Sequence, residues 1–167
     1  MIRIQRLTDQ LPAPGPRPAR PKLLLADAAV AVTQTELRLL GGGTREAFAV
    51  WAGRSLGESA FISLVISIEC PADRYRLAVP SDSRAEVAAL LHREKLLAFA
   101  DLHTHPEEAF LSAADRAEPF SSRPGFYSVV IPRFASGTPG EGWRAYQAAE
   151  DNWQEVCCRD RFAPWPL

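Results

Sequence analysis

The side chains best suited to chemistry in this sequence are concentrated between residues 101 and 115. That stretch, DLHTHPEEAFLSAAD, holds two of the three histidines together with a serine and an aspartate. If residues 97–105 are extended, His103 and His105 point to one face, because side chains two apart in a strand do so. Pro106 cannot donate to a strand ladder, so we expect the strand to end there and the chain to turn across its end.

A turn after Pro106 can bring Ser112 and Asp115 back toward the two imidazoles. These two residues are three apart, which places them on one face at the start of a helix. With His103 and His105, Asp115 then completes a set of two nitrogen ligands and one oxygen ligand. Catalytic zinc sites typically have three such ligands and an open fourth position, whereas structural sites are usually closed by cysteines. The stretch therefore predicts a catalytic metal site.

Each part of this pattern also has a purely structural interpretation. Ser112 and Asp115 match the capping box of a helix start, in which the two residues satisfy each other's backbone N–H groups. An isolated pair of histidines two apart is more often packed or solvated than bound to metal. The conjunction of both patterns within fifteen residues is what favours the metal site.

Taken together, these residues resemble the JAMM motif of the JAB/MPN metallopeptidases, including their prokaryotic deubiquitinase-like members. The family motif has the form HxHP, a short spacer and SxxD, which corresponds to His103–Pro106, Ser112 and Asp115. The family also has a glutamate upstream, before an apolar run that ends in Gly-Arg. Residues 45–54, REAFAVWAGR, are similar to that segment, and Glu46 is the matching glutamate.

The resemblance extends over most of the chain and implies its fold. Residues 126–132, FYSVVIP, are similar to the strand that follows the metal aspartate, and the likeness covers about residues 23–162. It implies a single α/β (α+β) domain, with a mixed, mostly antiparallel sheet flanked by helices in a cytidine-deaminase-like architecture. We expect this domain at residues 23–167, preceded by a proline-rich segment at residues 1–22.

The resemblance also assigns roles. It implies one Zn²⁺ per chain, held by His103, His105 and Asp115. Glu46 would be the general base that moves the proton of the attacking water, and Ser112 would donate to the developing oxyanion.

Other carboxylates could take two of these roles. Five residues separate Pro106 from Ser112, one fewer than in the family pattern, so a neighbouring glutamate could supply the third ligand. The candidates for that ligand are Glu107, Glu108 and Glu118. For the general base, the rival positions are Glu36 and Glu58.

By this resemblance the protein would be a zinc isopeptidase or peptidase that cleaves after the C-terminal glycine of ubiquitin or a ubiquitin-like protein. Among the basic residues only Lys22 and Lys95 are lysine, and alanine is abundant, which is typical of GC-rich bacteria. The expected partners are therefore ubiquitin-like proteins of bacterial conjugation systems, some of which serve antiphage defence. Two alternatives stay open: a hydrolase that processes a sulfur-carrier protein, and a metal-free MPN-type scaffold.

Composition excludes several other classes. The net charge is −1 with both signs interspersed, so no basic surface for nucleic acid is expected. The sequence has no leader-like apolar segment and no run near the ~20 apolar residues of a membrane span, so a cytoplasmic protein is expected. Three cysteines without a CxxC pair suit a reducing compartment and give little support to a cysteine protease.

Apolar runs and alternation indicate the elements around the motif. Strands are predicted at residues 23–32, 48–53, 60–68, 75–79, 97–105, 126–131, 143–146 and 153–157. A short helix from Thr33 or Thr35 should end at the glycines that begin with Gly41, and a second should run from Ser81 or Ser83 to about Leu97. Residues 160–167 are apolar and rich in proline and are expected to pack against the body.

Overall fold

The computed structural model describes residues 1–26 and 28–164, which form one mixed sheet with flanking helices. The described strands are β1 (Ile2–Arg6), β2 (Lys22–Leu25), β3 (Phe48–Leu56), β4 (Ser59–Ile68), β5 (Leu97–Thr104), β6 (Tyr127–Ile131), β7 (Arg144–Ala148), β8 (Trp153–Val156) and β9 (Phe162–Pro164). The described helices are α1 (Ala29–Gly41), α2 (Ser81–Glu94), α3 (Ala113–Ala117) and α4 (Cys158–Arg161).

The strands follow the order β8-β7-β6-β5-β3-β4-β2-β9, and β1 pairs with the second half of β4. Among the described pairs, β2 with β4, β2 with β9 and β5 with β6 are parallel, and the others are antiparallel. The predicted mixed, mostly antiparallel sheet flanked by helices is thus confirmed. The expected packing of the C-terminus falls partly on residues 165–167, which lie outside the described residues.

The centre of the sheet is the β3–β4 hairpin, because its residues are apolar on both faces. Trp51 and Val65 are fully buried on one side of the sheet, and Val50 and Ile66 on the other. A bulge in this pair lies at Gly53, where a Cβ would collide with the carbonyl oxygen of the facing strand. Glycine is therefore required at this position.

Helix α1 begins earlier than predicted. The predicted strand at residues 23–32 is wrong beyond Leu25, and α1 already begins at Ala29. The stretch from Ala26 is rich in alanine, which favours a helix once the short strand has paired. The helix end was predicted correctly, because Gly42 adopts the left-handed conformation that closes it.

Helix α2 ends at Glu94 rather than near Leu97, because Lys95 takes a left-handed conformation and the following residues enter β5. The strand predicted at residues 75–79 is also wrong, since only an isolated bridge between Ala72 and Leu77 forms there. The reason is a local turn at Asp73, whose carboxylate accepts hydrogen bonds from the next backbone N–H groups.

The N-terminal segment contacts the body of the domain. Strand β1 pairs with β4. In the proline-rich part that follows, backbone carbonyls accept hydrogen bonds from side chains of the domain. Arg54 Nη1 donates to the Pro12 oxygen at 2.9 Å, and the Tyr127 hydroxyl donates to the Pro21 oxygen. The domain boundary at residue 22 stays a prediction. Among the described helices, none has the length and apolar character that a membrane span requires.

Candidate metal centre

The two motif histidines lie at the carboxyl end of strand β5. This strand lies between β3 and β6, and His103 is paired with Phe48 on one side and Val130 on the other. His103 and His105 are each 5% exposed, and their ring centroids are 5.2 Å apart. The predicted common face is therefore present, although His105 itself follows the last residue of the strand.

The third candidate ligand comes from the first turn of α3. Ser112 is the N-cap, and its Oγ accepts a hydrogen bond from the Asp115 N–H at 3.2 Å. In return, the Ser112 N–H donates to Asp115 Oδ2 at 2.8 Å. The capping box and the approach of Asp115 to the histidines occur together, so the structural interpretation of this pair does not exclude the functional one.

The three side chains have the spacing of a metal ligand set. One possible ligand atom each from His103, His105 and Asp115 lie within 4.8 Å of one another. Asp115 Oδ2 is 3.5 Å from the Nε2 atom of each histidine. Two metal bonds of ~2.1 Å at a tetrahedral angle separate their ligand atoms by about 3.4 Å, so these separations fit a zinc-sized ion.

An unsatisfied atom supports the same fit. His103 Nε2 is buried and has no hydrogen-bond partner among the described residues, although it faces Asp115. A buried imidazole nitrogen without a partner is costly unless something binds it. A cation held by the three side chains would satisfy this nitrogen.

The electrostatics of the cluster couple its members. Burial lowers the pKa of His103, but the carboxylates of Asp101 and Asp115 outweigh burial and raise it to about 10. Burial opposes ionisation of Asp115, yet the contacts from His103 and His105 hold the pKa of its carboxyl well below its usual range. Asp115 is therefore ionised at neutral pH, as a metal ligand must be.

Glu46 lies just before β3 and lines the same cavity as the two histidines. It is 9% exposed, and its backbone N–H donates to the backbone carbonyl oxygen of Asp73 at 3.0 Å. Burial raises the pKa of its carboxyl to about 7; His103 acts in the opposite direction, and Asp115 and Asp73 raise it further. A carboxyl poised near neutrality can both accept and return a proton.

The cavity has a volume of about 520 Å³ and brings together all five residues singled out in the sequence. The rival ligands Glu107, Glu108 and Glu118 line it too, but the metal-sized cluster found among the described residues does not include them. The rival base Glu36 lies elsewhere, where its oxygens accept bonds from Gln5 and Ser67. Glu58 lies in the turn between β3 and β4, away from the cavity lining.

Sequence reasoning missed Asp101 and Ser128, which line the cavity behind His103. Asp101 precedes His103 by two residues, so the same strand periodicity places it on the face of the histidines. It also missed Asp73, whose turn supports Glu46 from outside the motif. The alternation in ADLHTH was the available signal for Asp101, whereas Ser128 and Asp73 reach the site only through tertiary structure.

A turn in the left-handed conformation is hydrogen-bonded to the backbone of His105. Arg133, Phe134 and Ala135 have φ values of 54°, 50° and 59°, a region that residues other than glycine rarely adopt. The His105 N–H donates to the Ile131 oxygen, and the Phe134 N–H donates to the His105 oxygen, both at 2.9 Å. The last residue of β6 and the unfavourable turn that follows it therefore hold the backbone of a candidate ligand from both sides.

No family model matches the sequence. The solution structure of a protein from Desulfitobacterium hafniense superposes with a TM-score of 0.64 at 15% identity, over 87% of this chain and 94% of that one, which shows a shared fold. A protein of Sinorhizobium fredii named as a probable metalloprotease is 28% identical over 137 residues, covering 76% of this chain and 82% of the relative.

Proposed function

We propose that this chain is a JAMM-type zinc metallopeptidase, with His103, His105 and Asp115 as the metal ligands. The observation that carries the proposal is the convergence of three ligand atoms within 4.8 Å, at the wall of a cavity that also contains Glu46. Two imidazoles and one carboxylate form a donor set suited to zinc, whereas magnesium and calcium prefer oxygen ligands. The name of the Sinorhizobium relative supports the coarser class, a metal-dependent peptidase.

In this proposal the chain's own residues handle the protons. When bound, a zinc ion supplies acidification of a water molecule and polarisation of the scissile carbonyl. Glu46 takes a proton from the attacking water and returns it to the leaving amine. Without a metal, burial raises the pKa of Glu46 to about 7. A bound cation would favour the ionised carboxylate, which is the form that accepts the water proton.

Ser112 is the proposed donor to the oxyanion. Its Oγ serves as the acceptor in the capping bond from Asp115, which leaves the hydroxyl hydrogen free to donate to a second oxygen. The capping geometry fixes Ser112 beside a metal ligand, so the donor is held in place before substrate arrives. One such preorganised donor is commonly worth ~10²- to 10³-fold in kcat.

The proposed substrate is the glycine-ended tail of a ubiquitin-like protein, as a conjugate or a precursor. The motif resemblance suggests this class, and the walls of the cavity suit an extended chain. Leu77 and Val79 line the cavity in a segment with a single bridge pair, so its backbone could pair with a bound tail. Tyr75 and Phe110 are exposed aromatic residues on the same cavity, 71% and 52% exposed, and could contact the tail's flanks.

The experiment measures zinc content first and cleavage second. Full-length protein loaded with zinc is incubated with a fusion in which a ubiquitin-like protein ends in glycine before its fusion partner, and with a lysine conjugate of the same ubiquitin-like protein. A sulfur-carrier protein is the third substrate. The fourth is the same fusion with the terminal glycine of the ubiquitin-like part replaced by alanine. We expect cleavage of glycine-ended substrates only, and we expect Glu46→Gln to keep zinc but cleave nothing.

Two results would contradict the proposal at different levels. Cleavage of the sulfur-carrier protein alone would support the metallopeptidase activity but contradict the proposed substrate. Absence of zinc from folded wild-type protein prepared with excess metal would contradict the metallopeptidase activity. It would favour the metal-free scaffold, and the search would turn to binding partners.

A further inference from the structure

Asp101 is a buried carboxylate at the back of the candidate centre. It is 3% exposed, and its oxygen Oδ1 accepts a hydrogen bond from the Ser128 hydroxyl at 2.7 Å. The parallel pairing of β5 with β6 puts the two residues side by side in register. Among the described residues, no lysine or arginine pairs with this carboxylate. A charged group so placed needs compensation from hydrogen bonds and from whatever else it faces.

The other group that Asp101 faces is the imidazole of His103. Asp101 Oδ1 lies 3.6 Å from His103 Nδ1, while Nε2 on the other side of the ring lies 3.5 Å from Asp115 Oδ2. The imidazole thus stands between two carboxylates, one on its buried side and one in the metal-sized cluster. Asp101 is absent from that cluster, so it is not placed to be a ligand itself.

We infer that Asp101, held by Ser128, is a positioning residue that keeps the His103 proton on Nδ1 and directs Nε2 toward the metal. A histidine that binds metal through one nitrogen usually donates its other N–H to a carboxylate, which fixes the tautomer and ring orientation and raises ligand basicity. The inference rests on the proposed function, because it assumes a metal at His103.

The two candidate histidine ligands have different neighbours. The His105 ring packs edge-on against Phe110, with centroids 4.9 Å apart at 83°, and its backbone bonds to Ile131 at the end of β6 and to Phe134 in the turn that follows. His103 lies within β5, paired with β3 and β6, and its Nδ1 faces Asp101. The buried carboxylate is therefore placed against the ring of only one of the two candidate histidine ligands described.

The expected effect is on metal affinity. Loss of such a supporting carboxylate typically weakens metal binding 10- to 100-fold. Asp101→Ala should lie toward the upper end of this range. Asp101→Asn keeps the volume and one acceptor for Ser128 but loses the charge, so about tenfold weakening is expected. Ser128→Ala frees the carboxylate without removing it and should have a smaller effect in the same direction.

The test compares these variants with a matched control in the full-length protein. Glu36→Gln is the control, because Glu36 is also a buried carboxylate that accepts a serine hydroxyl but lies outside the cavity lining. Zinc dissociation constants are measured by chelator competition, and thermal unfolding of the metal-free proteins reports folding. The expected result is weakened zinc binding in the Asp101 variants and unchanged binding in Glu36→Gln.

A spectroscopic readout separates positioning from a general structural role. The chain has only three histidines, so imidazole ¹⁵N resonances of the zinc-loaded protein can be assigned by substitution. Wild type should show a strongly downfield Nδ1–H proton for His103, because a carboxylate faces it, and Asp101→Asn should move that proton upfield. Wild-type zinc affinity together with an unshifted His103 Nδ1–H proton in Asp101→Asn would overturn the inference. Failure of wild type itself to bind zinc would instead overturn the proposed function.

Discussion

Thr104 Oγ1 accepts a hydrogen bond from the Ala47 N–H at 2.9 Å, and the Thr104 N–H donates to the Ala47 oxygen at 3.1 Å. Thr104 stands between His103 and His105, and Ala47 directly follows Glu46. This pair of bonds fixes the candidate base against the two candidate histidine ligands at the ends of neighbouring strands. The side chain of the motif that points away from the metal therefore aligns the ones that point toward it.

Thr104→Val should uncouple the base from the metal. Valine has nearly the same shape but cannot accept the Ala47 N–H, and a buried unpaired donor costs about 1–3 kcal/mol in the free energy of unfolding. We expect lower kcat with unchanged zinc content, measured by steady-state kinetics and elemental analysis. Thr104→Ser, which keeps the hydroxyl, is the matched control. Equal kcat in the two variants would argue against the alignment role.

Glu46→Gln should stabilise the metal-free protein at alkaline pH. The pKa of Glu46 is about 7 in the fold, above its ordinary value of 4.5. The folded state therefore holds more protons, and wild-type stability falls as pH rises through that window. Above pH 7 the variant should be more stable by about 1–2 kcal/mol, after allowance for solvent screening. Urea unfolding at pH 5 and pH 8 checks this; a difference that does not grow with pH would refute it.

Asp73→Asn should move the acid limb of the activity profile to lower pH. Asp73 raises the pKa of Glu46, so removing its charge lowers that pKa. Asparagine keeps the turn, because its side-chain oxygen can accept the same backbone N–H groups. The profile of kcat/KM against pH is the measurement. A shift to higher pH, or none, would mean that Glu46 is not the titrating base.

Ser112→Ala should lower kcat by ~10²- to 10³-fold through loss of the oxyanion donor. It should also remove the N-cap of α3, which costs about 1 kcal/mol. Ser112→Thr keeps both the hydroxyl and the cap and serves as the control. Zinc content is measured alongside kinetics, because Asp115 depends on the same capping box. Loss of zinc in Ser112→Ala, restored in Ser112→Thr, would show that the serine acts through Asp115 instead.

The sequence predicted what local periodicity determines. The period of two in a strand put His103 and His105 on one face, and Pro106 marked where that strand stops. The glycines after α1 predicted its end, because a left-handed residue is needed there. These features depend on a few neighbouring residues, so a single sequence suffices to find them.

The errors arose where distant contacts or competing local bonds decide the structure. Residues 75–79 have strand-like composition, but the side chain of Asp73 diverts the backbone into a turn. The start of α1 was placed too late, because an apolar run rich in alanine fits a strand and a helix equally well. Ser128 was missed because only the parallel pairing of β5 with β6 brings it beside Asp101.

The third ligand is decided by comparing Asp115→Ala with neighbouring carboxylates. Asp115 is half-buried against both histidines, whereas Glu107 and Glu108 are exposed. Of the three substitutions, only Asp115→Ala should therefore cause loss of zinc. Glu107→Gln and Glu108→Gln are controls that each remove one negative charge from the same cavity and should keep the zinc content of wild type. Zinc kept in Asp115→Ala but lost in either control would move the ligand to that glutamate.

Metal removal from the wild type gives the same answer through stability. A ligand at 100 times its dissociation constant stabilises the folded state by about 2.7 kcal/mol, so chelation should lower the Tm of wild type and of both glutamate controls. Asp115→Ala should already unfold at a low Tm and respond little to chelator, since it has no zinc to lose. Measured by thermal scans with and without chelator, an equal drop in Tm for Asp115→Ala and wild type would contradict the assignment of Asp115.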